Sequence, residues 1–588
     1  MVEKLQIGIP EACRMLLIFT IFTVVLATNN LPENRTILNQ YFPLTIVHNN
    51  DFHARFEEIN GKSKNCTEAE REKGLCVAGV ARLSTTIKSL LKQYKCKNAI
   101  YLNAGDNFQG SLWFSLLRKD PYLDLFRQLS PTAMTLGNHE FSENSNDLAE
   151  YIRSLKAVGI PTVVANLKLN GERSLSEGDI PSSITLKYPQ RNVSIIGVLY
   201  DQTHNIARTG KITFSDAVAA VIEEAQKLKA QNLHQIIVLS HCGIDVDMKI
   251  AAEAGHLIDM IVGAHTHSFL YPSDSKVPYD ATNDVIEGDY PLIVTSAQGS
   301  RKIPIVQAKS FGKYVGRITL YFDRNGDIEF WEGAPVYVNG SVEPDPIIAK
   351  TMQQWREKMW NLGMTTVGET KVQLNRAPCR SLECSLGTVT ADAFVYQWTN
   401  ETFKPLGFVQ GGTFRNSIPI GHITNGHILE ASPFGSTVDL VQMKGEDMWS
   451  VAEHSLTLDV ENRTNCLQVS GMRIRFDPTQ PPYKRLISFD VSTGQQESFE
   501  SLDLKASYYV AVSSFVAAGR DGFVWMKNAT ALGVGPVDTD VIKNYIIHRK
   551  VIESVPIGRV QICGVNWDCE TDVALPLNEE GMPLSKKS

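Results

Sequence analysis

Short apolar runs bounded by turn residues recur through the first half of the chain, and stretches with apolar positions at helical spacing lie between them. The runs 44–48 (LTIVH), 99–103 (AIYLN), 235–241 (QIIVLSH) and 258–265 (IDMIVGAH) read as buried strands, because brief continuous apolar runs between polar turns suit a strand covered on both faces. Residues 80–91 and 214–229 gather their apolar positions on one helical face. Strands and helices in alternation predict an α/β layer structure. The segment 346–362 (PIIAKTMQQWREKMWNL) follows Pro344 and has helical spacing, which predicts a helix connecting two domains. From about 365 to 560, strands such as 438–443 and 508–512 mix with Gly-rich turns. The sequence contains no internal repeat and no low-complexity tract.

At 588 residues the chain is too long for one compact domain. A composition of 43% hydrophobic and 21% charged residues excludes global disorder. Asp and Glu number 64 against 57 Lys and Arg, a net charge of −7, so general nucleic-acid binding, which needs a basic face, is disfavoured. Lys4 and Arg14 precede the apolar run 15–27 (MLLIFTIFTVVLA). That run is short for a membrane span and suits the core of a secretory signal, with cleavage expected near Ala27/Thr28; the competing reading is an uncleaved anchor. The leader carries Glu3 and Glu11 against Lys4 and Arg14, so its removal leaves the net charge unchanged. The polar C-terminus (ALPLNEEGMPLSKKS) offers no apolar tail for a lipid anchor or a stop-transfer helix. A soluble, extracellular mature protein is therefore expected. Sequons at Asn34, Asn65, Asn192, Asn339, Asn400, Asn462 and Asn528 fit a secreted glycoprotein. Of ten cysteines, Cys13 would leave with the signal. The close pairs Cys66/Cys76, Cys379/Cys384 and Cys563/Cys569 suit small disulfide loops in an oxidising compartment, although spacing alone does not fix connectivity. The odd number remaining requires a thiol that stays free or pairs between chains, and Cys242, ending an apolar run, is expected to be a buried free one.

Polar residues with metal-binding side chains follow the predicted strands. Asp51 and His53 come after 44–48, Asp106 after 99–103, and Asn138 and His139 after 133–136; His241, His265 and His267 close the later runs. Ligands collect at strand ends in α/β sheets. Mixed imidazole and carboxylate donors suit Zn²⁺ or Mn²⁺-like ions better than Ca²⁺. With few carboxylates among the donors, bound divalent ions would keep positive charge, which attracts a phosphoryl group and activates water for attack on it.

In order, the pattern is D-x-H (Asp51, His53), G-D (Gly105, Asp106), G-N-H-E (Gly137 to Glu140), H (His241) and G-x-H-x-H (Gly263, His265, His267). This resembles the calcineurin-like metallophosphoesterases. The resemblance implies two divalent metal ions, with Zn, Mn, Ca and Mg left open. Asp51, His53, Asp106 and His267 would hold one ion, and Asp106, Asn138, His241 and His265 the other, Asp106 bridging. Further motifs, C-R-x-x-E-C (379–384), Q-G-G-T-F-R (410–415), P-F-G-S-T (433–437) and S-F-x-x-x-G-R-D-G-F (514–523), extend the likeness to the 5'-nucleotidase/apyrase family from about 44 to 560. The implied fold class is α/β (α+β): an N-terminal layered α/β/β/α metallophosphoesterase domain joined by a helix to a mixed α/β nucleotide-binding domain. The corresponding boundaries are a signal peptide at 1–27, the metal domain at 40–340, a linker helix at 341–364, a nucleoside-binding domain at 365–560 and a polar tail at 561–588. Phe434 and Phe515 would stack on the two faces of the base, a contact worth ~1–3 kcal/mol per base. Asp521 would bind ribose hydroxyls, Arg380 and Arg415 the phosphates, and Gln410 the base edge.

The chain departs from the family pattern at Gln410, usually Asn, and at Gly412-Thr413-Phe414, usually Gly-Gly-Ile. It also carries Ser142 where an Asp normally holds the catalytic histidine, here His139. A hydroxyl accepts a hydrogen bond but brings no charge, and charge-assisted bonds are worth ~1.5–3 kcal/mol against ~1 for neutral ones. A rate lower by roughly one order of magnitude is expected unless Glu143 or Asn144 substitutes. The leading functional expectation is a secreted apyrase hydrolysing extracellular ATP and ADP to AMP and phosphate and so inhibiting platelet aggregation, as in the salivary apyrases of blood-feeding arthropods. The alternatives are a 5'-nucleotidase acting on AMP, or a non-catalytic inhibitor binding nucleotide or a platelet receptor. The expected partners are small-molecule nucleotides, with no nucleic acid and no membrane anchor.

Overall fold

The computed structural model describes residues 40–577, apart from 177, 274–275, 458–464 and 493–497. The leader over 1–27, the sequons at Asn34 and Asn462 and the last eleven positions lie outside the described residues. The chain divides into two compact units. One holds residues up to Gln109 together with Leu117–Trp355; the other holds Gly110–Leu116 and the chain from Arg356 onward.

Two large sheets dominate the first unit. Their main strands are β1 (Phe42–Asn49), β2 (Ile100–Asn103), β3 (Ala133–Met134), β4 (Ser183–Lys187), β5 (Asn192–Leu199), β6 (Gln235–His241), β7 (Met260–Val262), β8 (Leu292–Thr295), β9 (Lys302–Val306), β10 (Tyr314–Phe322) and β11 (Ile328–Gly333). One sheet runs β11-β10-β1-β2-β3, the other β8-β9-β7-β6-β5-β4. β1, β2 and β3 are parallel, as are β5, β6, β7 and β9. The sheets face each other. Leu44, Ile46, Leu102, Ile318 and Leu320 from one share a buried cluster with Ile195, Ile237, Leu239, Met260 and Val262 from the other. Complete burial of each such side chain is worth about 1.5–3 kcal/mol.

Helices cover the outer faces, giving the expected α/β/β/α order. α1 (Val80–Gln93) buries Leu83, Ile87 and Leu90, spaced for one helical stripe, and packs against β1, β2 and β10. On the other side, Ile196, Val198, Ile236 and Val238 pack with Val218, Val221 and Ala225 of α2 (Ala217–Ala230) and with Ile250 and Ala254 of α3 (Ile244–Ala254). The sequence pattern predicts a helix from 214; the helix starts instead after Asp216, whose carboxylate accepts from Ala219 N–H and caps it. The run expected as a strand over 258–265 pairs only over Met260–Val262; Gly263 N–H still donates to Val306 O at 2.8 Å, and an added Cβ there would stand 2.2 Å from Asp247 Oδ2.

The helix expected over 346–362 is α4 (Pro346–Gly363). In the second unit the strands β12 (Leu406–Gln410), β13 (Val438–Lys444), β14 (Leu467–Ser470), β15 (Ser507–Ser513) and β16 (Thr530–Gly533) form a mixed sheet in the order β14-β12-β15-β13-β16. Helix α5 (Ser385–Trp398) packs on it through Leu386, Val389 and Phe394. Past 560, where a polar tail is expected, strand Val560–Ile562 still pairs in a further sheet, and Cys563 and Cys569 close a loop behind it. Cys66–Cys76 and Cys379–Cys384 are also bonded, while Cys242 and Cys466 are buried free thiols. Among the described residues no helix is long and apolar enough to cross a membrane.

The first unit also buries a charge cluster that the hydrophobic pattern does not reveal. Lys313, fully buried, lies 2.9 Å from Asp280 and 2.8 Å from Asp284, and Lys309 lies 2.8 Å from Asp284. Tyr314 OH donates to Asp284 at 2.6 Å. Asn50, beside Asp51, is tied to this loop through the Lys309 carbonyl and Ala308 N–H. Removing one partner of a buried pair strands the other charge. Lys313→Met should therefore destabilise the protein by roughly 3–5 kcal/mol, measured by urea unfolding.

Candidate metal centre

The parallel strands of both sheets deliver their C-terminal loops to one place. Asp51 and His53 follow β1, Asp106 follows β2, Asn138 and His139 follow β3, His241 ends β6, and His265 and His267 follow β7. Three overlapping groups have ligand atoms within 4.8 Å of one another: Asp51, His53 and His267; His53, Asp106 and His139; Asp106, His241 and His265. Asp106 Oδ2 is 3.1 Å from His241 Nε2, 3.7 Å from His53 Nε2 and 4.0 Å from His139 Nε2. Asp51 Oδ1 is 3.3 Å from His267 Nε2 and 3.9 Å from His53 Nε2 and His241 Nε2. The ring nitrogens of His53 and His267 face each other at 3.1 Å.

The loops reach this arrangement through unusual backbone. Asp51, His53, Asp106, His265 and His267 all have left-handed φ, between 49° and 75°. Such conformations are uncommon outside glycine and cluster at functional sites, where surrounding contacts enforce them. Here Asp51 N–H donates to Gly105 O at 3.0 Å, His53 N–H to Asp106 O at 3.0 Å, and Phe311 N–H to Asp51 O at 2.8 Å. Gly105 and Gly137 permit the closest approach: a Cβ on Gly137 would stand 2.0 Å from Asp106 Oδ1, and one on Gly105 2.5 Å from Gly137 N. Glu140, whose role the sequence does not disclose, pins the same corner. Its buried carboxylate accepts from the backbone N–H groups of Asp106, Asn107 and Gly137 at 2.9, 2.7 and 2.6 Å. Burial, reinforced by the Asp106 charge, pushes Glu140 up to about 7 despite those bonds.

The donors fit divalent ions. Asn138 Oδ1 is buried without a hydrogen-bond partner, an expensive state unless a cation fills the gap. The His241 ring is fixed by its Nδ1–H, which donates to Ala104 O at 2.7 Å and leaves Nε2 facing Asp106. His265 stacks on Tyr200 with centroids 5.3 Å apart. Burial drives His53 down to about 3 and His265 to about 4, so both rings are neutral donors, as metal ligation requires. Burial also opposes a charge on His241, but the Asp106 carboxylate outweighs it and lifts this ring to about 10. Asp106 is held well below the usual carboxylate range: burial would raise it, and His241 and His139 override that.

His139, whose Nε2 joins this cluster, is held through its other ring nitrogen. Its Nδ1 lies 2.5 Å from Gln109 Oε1, and Ser142 Oγ donates to the same oxygen at 2.9 Å. The direct Ser142–ring bond expected from the sequence is thus replaced by a shared acceptor. Glu143, a sequence-level substitute for the missing Asp, pairs with Arg118 at 2.7 Å, and Asn144 caps the helix Ser145–Ala157.

The second unit gathers the remaining predicted residues into two clusters. Gln410 Oε1 accepts from Gly412 N–H at 2.9 Å, Arg380 Nη1 donates to Asn465 Oδ1 at 2.8 Å, and Arg415 Nη1 donates to Gly412 O at 2.7 Å. Gly411 passes so close to the Cys379–Cys384 loop that a Cβ would meet Cys379 O at 1.7 Å. The Arg415 guanidinium lies 4.4 Å from the Phe434 ring centre. Phe434 is 52% exposed and Phe515 40%, unlike the buried core phenylalanines. Their loops are tied by Ser514 N–H to Thr437 O at 2.8 Å and by Thr437 N–H to Ser514 Oγ at 3.1 Å. Asp521 is exposed on a left-handed backbone, and its carbonyl meets His454 Nε2 at 2.9 Å.

Residues 44–269 match the calcineurin-like phosphoesterase family, and 366–528 match the 5'-nucleotidase C-terminal domain. A protein named apyrase from Aedes aegypti is 52% identical over 561 residues, covering 95% of this chain and 99% of its own. An apyrase from Aedes albopictus is 50% identical, covering 96% of this chain and 99% of its own. The chain belongs to the 5'-nucleotidase and apyrase family. A solved structure, the 5'-nucleotidase precursor of Thermus thermophilus, is 30% identical with a TM-score of 0.56 and covers 89% of this chain and 100% of its own. As a member of the 5'-nucleotidase and apyrase family, the chain is an enzyme that hydrolyses nucleotides with divalent metal ions.

Ligand binding to the folded state alone raises stability, by about 2.7 kcal/mol for one ion at a hundred times its Kd. Adding Mn²⁺ or Zn²⁺ to chelated protein should therefore raise its melting temperature, and Asp106→Asn should remove most of that rise. Differential scanning fluorimetry with and without EDTA checks both.

Proposed function

We propose that this is a secreted apyrase, hydrolysing ATP and ADP to AMP and phosphate with two divalent ions. The observation that carries the reading is the cluster of two buried carboxylates, five imidazoles and the partnerless Asn138 oxygen at the strand ends. The similarity to proteins named apyrase along nearly the whole chain favours ATP and ADP over AMP. Asp51, His53, Asp106 and His267 would hold one ion, and Asp106, Asn138, His241 and His265 the other. When bound, such a pair polarises the phosphoryl group and supplies the attacking water.

The protein's own groups do the rest. His139 turns its Nε2 towards the metal cluster, where, as an imidazolium with hydrogen on both nitrogens, it would donate to the phosphate or the leaving oxygen. Arg380 and Arg415 pair with phosphate oxygens as planar forks. The exposed rings of Phe434 and Phe515 stack on the base, worth ~1–3 kcal/mol, and Asp521 accepts from ribose hydroxyls. Gln410 has one amide oxygen committed to Gly412, so its NH₂ is the group available to a base edge.

Secretion is supported by the disulfides and by exposed sequon asparagines at Asn65, Asn400 and Asn528. Outside the cell, removal of ADP would restrain platelet aggregation. Phosphate release from ATP, ADP and AMP, with Mg²⁺, Ca²⁺, Mn²⁺ or Zn²⁺ and again after chelation, tests the reading. Release from ATP and ADP that stops on chelation is expected. Release from AMP alone would make the chain a 5'-nucleotidase, and release from none would leave a nucleotide-binding inhibitor.

A further inference from the structure

Only a carbonyl oxygen is offered to His139 Nδ1 by Gln109, and an amide oxygen can only accept. Nδ1 therefore carries a hydrogen, and the ring presents Nε2 towards Asp106 Oδ2, 4.0 Å away. Gln109 is itself placed with care. It stands on a left-handed backbone, φ 59°, at the end of the loop whose start is pinned by Glu140. Ser142, the residue standing where the family carries its Asp, points its hydroxyl at the same amide oxygen from 2.9 Å. The arm from the neighbouring loop thus fills the place of a side-chain carboxylate, and the serine steadies that arm.

We propose that Gln109, steadied by Ser142, is the positioning residue for His139. The proposal rests on the nucleotide-hydrolase reading above and names the residue that aims the histidine of that site. In the hydrolysis of ADP a water oxygen bonds to the terminal phosphorus, the bridging P–O bond breaks with its electron pair left on the departing phosphate, and the proton from water passes to solvent. Gln109 touches none of the reacting atoms: its amide oxygen accepts from Nδ1–H and so directs Nε2 towards the metal cluster.

Steady-state kinetics of the full chain on ADP, with a saturating divalent cation, decide the matter. Gln109→Asn keeps a residue tolerant of left-handed backbone but is too short to reach the ring. It should lower kcat for ADP about tenfold with KM changed less than twofold, and should cost nothing further in a His139→Ala background. Ser142→Asp combined with Gln109→Asn should restore most of the lost kcat. Additive losses in the Gln109→Asn/His139→Ala double variant, or no recovery in the Ser142→Asp/Gln109→Asn variant, would overturn the proposal while leaving nucleotide hydrolysis in place. A wild-type chain without turnover on ATP, ADP or AMP would overturn both readings.

Discussion

Asp51 and Asp106 place two buried carboxylates among imidazole nitrogens arriving from other strand ends. Burying charge is costly unless opposite charge accompanies it, and effective penalties reach several kcal/mol per ion. The carboxylates outweigh burial at His241 and His267 and raise both rings, whereas at His53 and His265 burial prevails and lowers them. Neutral imidazoles, anionic carboxylates and a partnerless amide oxygen around one point form a donor set that cations complete. Much of the local structure follows from that constraint, including left-handed backbone at five of the contributing residues.

The scaffold sustains the strain by enclosing it. Parallel strands with apolar faces give rigid starting points, and the loops that leave them are tied crosswise, Asp51 to Gly105 and His53 to Asp106. Asp51 receives His265 N–H on its carboxylate, and Asp106 receives His139 N–H at 2.9 Å, so each acid also orders a ligand loop. Glu140 gathers the β2 and β3 loops, and the Lys313 cluster steadies the Asn50 side. The phosphate chemistry of the family is thereby assembled from elements that are individually ordinary.

The strands and the candidate metal ligands were legible because each follows an apolar run by a few residues, and glycine marks the tight approaches at Gly105 and Gly137. Ends were less legible: β7 covers only Met260–Val262 of its apolar run, and α2 waits for its Asp216 cap. Gln109, Glu140 and Lys313 were missed for a different reason. Each works on another side chain or on backbone, and nothing in its local pattern distinguishes it from a turn glutamine, a solvated acid or a surface lysine. Ser142 was visible as a departure, but its remedy sits in a loop 33 residues away. In the second unit, Phe434 and Phe515 stood out only through motif order; their exposure is what sets them apart from core aromatics.

The central claim is that residues between 51 and 267 grip a pair of cations on which hydrolysis depends. Metal content by inductively coupled plasma mass spectrometry, measured on the purified chain alongside its ATPase rate during stepwise chelation, addresses it most directly. The account predicts close to two divalent ions per active chain, falling together with the rate and recovering together on metal return. A fully active chain that contains no divalent ion, or one whose rate is unchanged as its metal is withdrawn, would contradict it.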